Sequence, residues 1–93
     1  MVLPAAPDRQ RIDKWLFFTR VVKTRGLAAR LVTGGHVRIN SQRIEAAHRL
    51  VGPGDVVTVA LERNVRVMRV MGTGLRRGPA PEAAMLFEEI GQD

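Results

Sequence analysis

The feature that most constrains this chain is a change of hydrophobic period at Gly34-Gly35. Before the glycines, Ile12, Trp15, Leu16, Thr19 and Val22 form one stripe, and Leu27, Ala28, Leu31 and Val32 a second. Steps of three and four put each set on one side of a helix. Asp8 or a neighbour is the expected cap of the first helix, with Asp13 in a first turn whose dipole favours an acid. Thr24 is the expected N-cap of a second helix over about 25–33. Gly34-Gly35 supplies the stop, because glycine accepts the left-handed conformation that helix ends often need.

After the glycines the period falls to two. His36-Val37-Arg38-Ile39 alternates as a half-buried strand does. Asn40-Ser41 is a turn candidate, and Gln42-Arg43-Ile44 begins a return strand. Gly52-Pro53-Gly54-Asp55 is a strong turn signal. The β-branched run from Val56 to Leu61 reads as a strand buried on both faces, and Val65–Val70 as a partner strand beyond the Glu62-Arg63-Asn64 turn. Gly72–Gly78 reads as a loop. Pro79-Ala80-Pro81-Glu82 leads into an expected last helix over 82–90, with Ala83, Leu86, Phe87 and Ile90 on one face. Helices at the start, strands together and a helix at the end predict an α+β fold. Two short N-terminal helices pack on a small, mostly antiparallel sheet, and a C-terminal helix follows.

Composition narrows the function classes. Ninety-three residues with 45% in the hydrophobic set suit one small core. That length leaves no room for a catalytic domain beside a binding domain. The chain has no Cys, so disulfides and thiolate zinc sites are excluded. No run approaches a membrane-spanning length, and MVLPAAPDRQ has neither a basic nor a long apolar signal region. The expected location is the cytoplasm, with no membrane contact. His36 and His48 have no acid at ligand spacing, Glu88 and Glu89 point apart on the expected helix, and Gly72-Thr73-Gly74 matches no phosphate-loop spacing. No enzymatic activity and no cofactor are therefore expected.

The net charge is +6, and its placement says more. Residues 8–49 hold ten bases and only three acids, while residues 80–93 hold four acids and no base. The segment 11–43 carries eight bases: Arg11, Lys14, Arg20, Lys23, Arg25, Arg30, Arg38 and Arg43. The apolar stripes there occupy the inward positions, so most of these cations face water, where they attract polyanions by field and counterion release. Guanidinium forks bridge phosphate oxygens. Lys23-Thr24-Arg25 adds a lysine, a hydroxyl and an arginine at a helix N-terminus. Aromatics make up only 4% of the chain, and Trp15 and Phe87 belong to expected apolar faces, so stacking on splayed bases is disfavoured. Phosphate and shape recognition of folded RNA fits better. A DNA-reading helix-turn-helix stays open, although helix two lacks the Asn and Gln that often read base edges.

Several of these residues resemble a known family. Arg11-Ile12-Asp13-Lys14-Trp15-Leu16, Arg20, Lys23-Thr24-Arg25, Gly34-Gly35, Val37, Asn40 and Gln42-Arg43, with Gly54-Asp55 before a strand, are similar to the S-four RNA-binding domain. Arg77–Glu89 looks like the segment that follows this domain in the family of the fifteen-kilodalton bacterial heat-shock protein. There are departures: His36 replaces a frequent lysine, Asn40-Ser41 an Asn-Gly, and Glu45-Ala46-Ala47-His48 a basic stretch. No long basic stretch like the C-terminal tail of larger members occurs within these 93 residues. The expected organisation is a flexible lead-in (1–8), which holds Pro4, Pro7 and small residues, an RNA-binding domain (9–71) and a loop plus C-terminal helix packed on that domain (72–93).

The resemblance implies a non-enzymatic protein of the large ribosomal subunit. It contacts ribosomal RNA and tRNA or peptidyl-tRNA on subunits carrying a stalled nascent chain, in rescue or quality control under stress. Arg11, Lys14, Arg20, Lys23, Thr24 and Arg25 are the implied contact residues. Arg30, Arg38 and Arg43 join them from the charge pattern. Non-specific contact with DNA would follow from the same charge. Two other functions compete: the RNA-binding part of an RNA-modifying enzyme such as a pseudouridine synthase, and a DNA-binding regulator.

Overall fold

A computed structural model describes residues 6–92, with side chains to Gly91. The first five residues of the expected lead-in lie outside the described residues. The elements run β1 (Gln10–Arg11), α1 (Ile12–Phe18), α2 (Arg25–Thr33), β2 (Val37–Ile39), β3 (Gln42–Arg43), β4 (Leu50–Val51), β5 (Val56–Ala60), β6 (Val65–Val70), α3 (Ala80–Ala83), a 3₁₀ turn (Ala84–Leu86) and β7 (Phe87–Gln92). This is the expected α+β fold. Five strands form an antiparallel sheet in the order β3-β2-β5-β6-β7, and β1 and β4 form a separate pair.

The two stripes make the core. Ile12, Trp15 and Leu16 from α1 and Ala28 and Val32 from α2 meet Val37, Ile39, Val57, Val59, Met68 and Val70 of the sheet, all at most 1% exposed. Leu27, expected on the buried face of α2, is instead exposed. β5 is buried on alternate residues rather than on both faces: Val57 and Val59 are enclosed, while Val56, Thr58 and Ala60 are half-buried. The helices cover only one side of the sheet, so a β-branched run does not reveal which of its faces is covered.

The start of α1 differs from expectation. Asp8 does not cap it; Arg11 occupies the N-cap without a side-chain cap bond. The free helix N–H groups find backbone instead: Ile12 N–H donates to the Arg49 carbonyl at 2.8 Å and Asp13 N–H to that of Ala47 at 3.3 Å. The β1–β4 pair holds these segments together. The helix stops at Phe18, short of Val22. The Thr19 hydroxyl donates to the Trp15 carbonyl at 2.8 Å, and Arg20 turns left-handed at φ 65°. Val22 still reaches the core through this turn.

α2 follows the sequence closely. Thr24 Oγ1 accepts from Leu27 N–H at 3.0 Å, and Gly35 takes φ 82° just past the last turn. Asn40 and Ser41, at φ 52° and 70°, form the tight β2–β3 turn. Asn40 also ties the turn to β5: its side-chain oxygen accepts from Val56 N–H at 2.9 Å.

The largest departure lies at the C-terminus. The helix expected over 82–90 begins at Ala80, ends after one turn, and gives way to a strand. β7 pairs along the free edge of β6, with Phe87 opposite Val70 and Glu88 opposite Arg69, and with an irregularity between Val67 and Met68. The edge of β6 presents a row of unpaired backbone groups, and Arg66 and Arg69 on it meet Glu89 at 2.6 Å and Glu88 at 2.7 Å. Helical periodicity in so short a segment is a weak local preference that this edge overrides. Among the described residues no helix is long and apolar enough to cross a membrane.

Candidate nucleic-acid interface

The segment after β6 forms a brace for the helices. Trp15 Nε1–H donates to the Gly72 carbonyl at 3.0 Å. The Gln10 amide donates to the Gly74 carbonyl at 2.8 Å and accepts from Gly74 N–H at 3.1 Å. The Thr73 hydroxyl donates to the Pro7 carbonyl. Gly72-Thr73-Gly74 is thus a docking strip whose polar groups face protein. Arg77, read from the sequence only as a loop base, lies over the Phe17 ring at 5.1 Å and donates to the Phe17 carbonyl at 3.2 Å and the Val22 carbonyl at 3.4 Å. A cation at the end of a helix satisfies free carbonyls and opposes the dipole there.

On the platform held this way, the cation that precedes α1 and the first cation of α2 come together around one acid. Arg11 makes a two-pronged contact with Asp13, from Nε to Oδ1 at 3.1 Å and from Nη2 to Oδ2 at 2.8 Å. Arg25 Nη2 stands 3.6 Å from the same Oδ2. The Asp13 side chain is 6% exposed, while those of Arg11 and Arg25 are each 45% exposed. One carboxylate between two guanidiniums leaves the group net positive, with donors turned to water. The sequence marks Asp13 only as an acid suited to a first turn. Its bridging role has one sequence sign, a lone acid two residues after a base within a cationic stretch.

Thr24 lies beside this group. Its oxygen is used in the cap, which leaves its O–H proton free to donate outward. Lys23 is exposed and Lys14 half-buried, and neither makes an ion pair among the described residues. Arg20 is anchored: Nη1 donates to the Gly78 carbonyl at 2.8 Å, which ties the turn after α1 to the brace.

The remaining three predicted residues do not join the Arg11–Asp13–Arg25 group. Arg30 is exposed in the last turn of α2, five residues beyond Arg25 and so about 140° further round the helix. Arg38 and Arg43 face each other across the β2–β3 hairpin, both exposed and without a carboxylate partner among the described residues. Like charges placed opposite each other repel. Arg43 turns back over Gly35, where an added Cβ would fall 2.5 Å from its Nη2. Gly35 therefore serves both the left-handed turn and the path of that guanidinium.

Beside the β2–β3 turn, Asp55 has a shifted carboxyl. Partial burial pushes its carboxyl up. The Gly52 N–H, the Asn40 amide and the fields of Arg9 and Arg49 outweigh burial and leave its pKa below the ordinary 3.8. It is a structural acid, accepting from Gly52 N–H at 2.9 Å and from Asn40 at 3.1 Å.

The chain is similar to known proteins in sequence and in fold. The S4 domain family matches residues 10–57, which span β1 to the start of β5. Heat shock protein 15 of Escherichia coli strain K12 is 37% identical over 82 residues, covering 88% of this chain and 61% of its own length. A heat shock protein 15 homolog of Aeromonas salmonicida is 38% identical over 87 residues, 92% of this chain and 65% of its own. The chain thus spans under two thirds of the length of these relatives. The trimeric structure of Vibrio cholerae heat shock protein 15 superposes with a TM-score of 0.82 at 34% identity, over 88% of this chain and 82% of that one.

Proposed function

This chain belongs to the heat shock protein 15 family, built on an S4 domain, and from that premise we propose that its α1–α2 face binds folded RNA of the large ribosomal subunit. tRNA or peptidyl-tRNA is the second partner. The setting is rescue or quality control of stalled nascent-chain complexes during stress, in the cytoplasm, and the protein acts by binding rather than by catalysis. The observation that carries this reading is the exposed Arg11–Arg25 pair, held by a single buried carboxylate beside Lys23 and the Thr24 hydroxyl. The scarcity of stacking aromatics supports a phosphate-and-shape reader over a reader of single strands.

Arg11, Lys14, Lys23, Thr24 and Arg25 form the proposed primary contact, with Arg20 at its rim. Arg30, Arg38 and Arg43 engage phosphates on adjoining surfaces. Titrating the protein onto purified large ribosomal subunits across a salt series tests this. Neutralising about five phosphates predicts a log–log slope of roughly −3.5 to −4.5. A flat salt response would falsify it. Competition with duplex DNA at one salt concentration separates the reading from a DNA-binding regulator. The intact mass of the native protein separates it from the RNA-binding part of a modifying enzyme.

A further inference from the structure

Resting on that reading of the α1–α2 face, we infer that Asp13 is a positioning residue for RNA binding: its carboxylate fixes the guanidiniums of Arg11 and Arg25 at a set spacing, so that the pair meets phosphate already ordered. An acid inside a polyanion-binding surface is otherwise a liability, because it cancels one positive charge where field drives binding. Burying it also carries a desolvation cost, and a buried ion pair is weak support for stability. The observed geometry gives Asp13 another use.

Its carboxylate is held from its own helix by Lys14 N–H, which donates to Oδ1 at 2.8 Å. From this anchor it grips Arg11 through both Nε and Nη2 and draws Arg25 to 3.6 Å. Arg11 precedes α1 and Arg25 opens α2, so one side chain spans both helices. Arg11 spends two of its five N–H donors on Asp13 and keeps three for a ligand. Arg25 at 3.6 Å is paired by charge and keeps its donors. Unanchored arginines would lose rotamer freedom on meeting RNA, and ordering them beforehand removes part of that cost.

This makes a prediction of unusual sign. Asp13→Asn raises the net charge by one. If Asp13 merely neutralised its neighbours, the variant would bind large ribosomal subunits more tightly and with a steeper salt slope. Positioning predicts the opposite: affinity falls about fivefold or more as the charged bonds are lost, with a slope no steeper than the parent's. Asp13→Glu, which keeps the charge and moves the carboxylate outward, should weaken binding in the same direction. Equal or tighter binding by folded Asp13→Asn overturns the inference. Should thermal melts show that variant unfolded, parent-like affinity of Asp13→Glu overturns it.

A second readout needs neither RNA nor a variant. In the NMR spectrum of the free parent chain, the Arg11 Nε–H should give a resolved signal protected from solvent exchange, and its absence also overturns the inference. A parent chain that shows this signal but fails to bind subunits would sink the RNA-binding reading and leave the anchoring of Arg11 established.

Discussion

Arginines on the two flanks of this molecule are treated in opposite ways. On β6, Arg66 meets Glu89 and Arg69 meets Glu88, one acid for each base. Nearby, Arg76 meets Glu82 at 3.2 Å. On the α1–α2 face, Arg11 and Arg25 share a single acid, and Lys14 and Lys23 have no ion-pair partner among the described residues. The same side chain thus closes a sheet edge in one region and leaves a positive field open in the other. A count of basic residues overstates the interface. What matters is how many acids the fold brings to each base.

The contrast can be broken in several ways, the largest through its foundation. Trp15→Ala removes a fully buried ring and its bond to the Gly72 carbonyl beneath the cationic face. A loss of about 3–5 kcal/mol is expected, a large share of a small domain's stability, measured by denaturant or thermal melts. A loss under about 1 kcal/mol would mean that the helices do not depend on this platform.

Next comes a direct comparison of the two sets of arginines. Arg11→Ala with Arg25→Ala should weaken binding to large subunits by about ten- to a hundredfold and make the salt slope shallower by about two. Arg66→Ala with Arg69→Ala should change affinity by about twofold at most, because those charges already have partners. Equal losses in the two double variants would erase the distinction between the regions.

Acid titration sharpens the comparison at the hairpin. Asp55 has a lowered pKa in the fold, so its contribution is present above the ordinary carboxylate value and is lost as pH falls through the lower folded one. The melting temperature of the parent should drop on acidification from about pH 6 to about pH 2.5. Asp55→Asn should start lower and fall less across that window, and parallel curves for the two proteins would refute the assignment.

The smallest effect is expected at the other flank. Glu88→Gln breaks an exposed pair, with Arg69 and Glu88 side chains 44% and 54% exposed. Stability should move by about 0.5 kcal/mol or less, read from the same melts. A larger change would show that the pair, rather than the backbone ladder, holds β7 in place.

Much of the fold was legible because its signals are local. The Thr24 cap, the Gly34-Gly35 stop and the Asn40-Ser41 turn each depend on a few adjacent residues and recur in the structure. Phe87-Glu88-Glu89-Ile90 was not legible in this way. Its spacing satisfies a helix, and only the open edge of β6, some twenty residues away, selects a strand. The start of α1 depended likewise on carbonyls at 47–49, which no pattern near Asp8 could indicate. Within the candidate site, the cations and Thr24 could be named from sequence, whereas Asp13 as their common anchor and Arg77 as the clamp on α1 could not.

The sequence by itself determined where the period changes, which residues are apolar enough to be buried and where positive charge is concentrated, because these follow from side-chain chemistry and short-range backbone preference. Tertiary structure decided which bases meet an acid and whether the last segment coils or extends. Both depend on partners distant in the chain, and the free energy of an ion pair or a strand edge exists only once folding has brought those partners within a few ångströms.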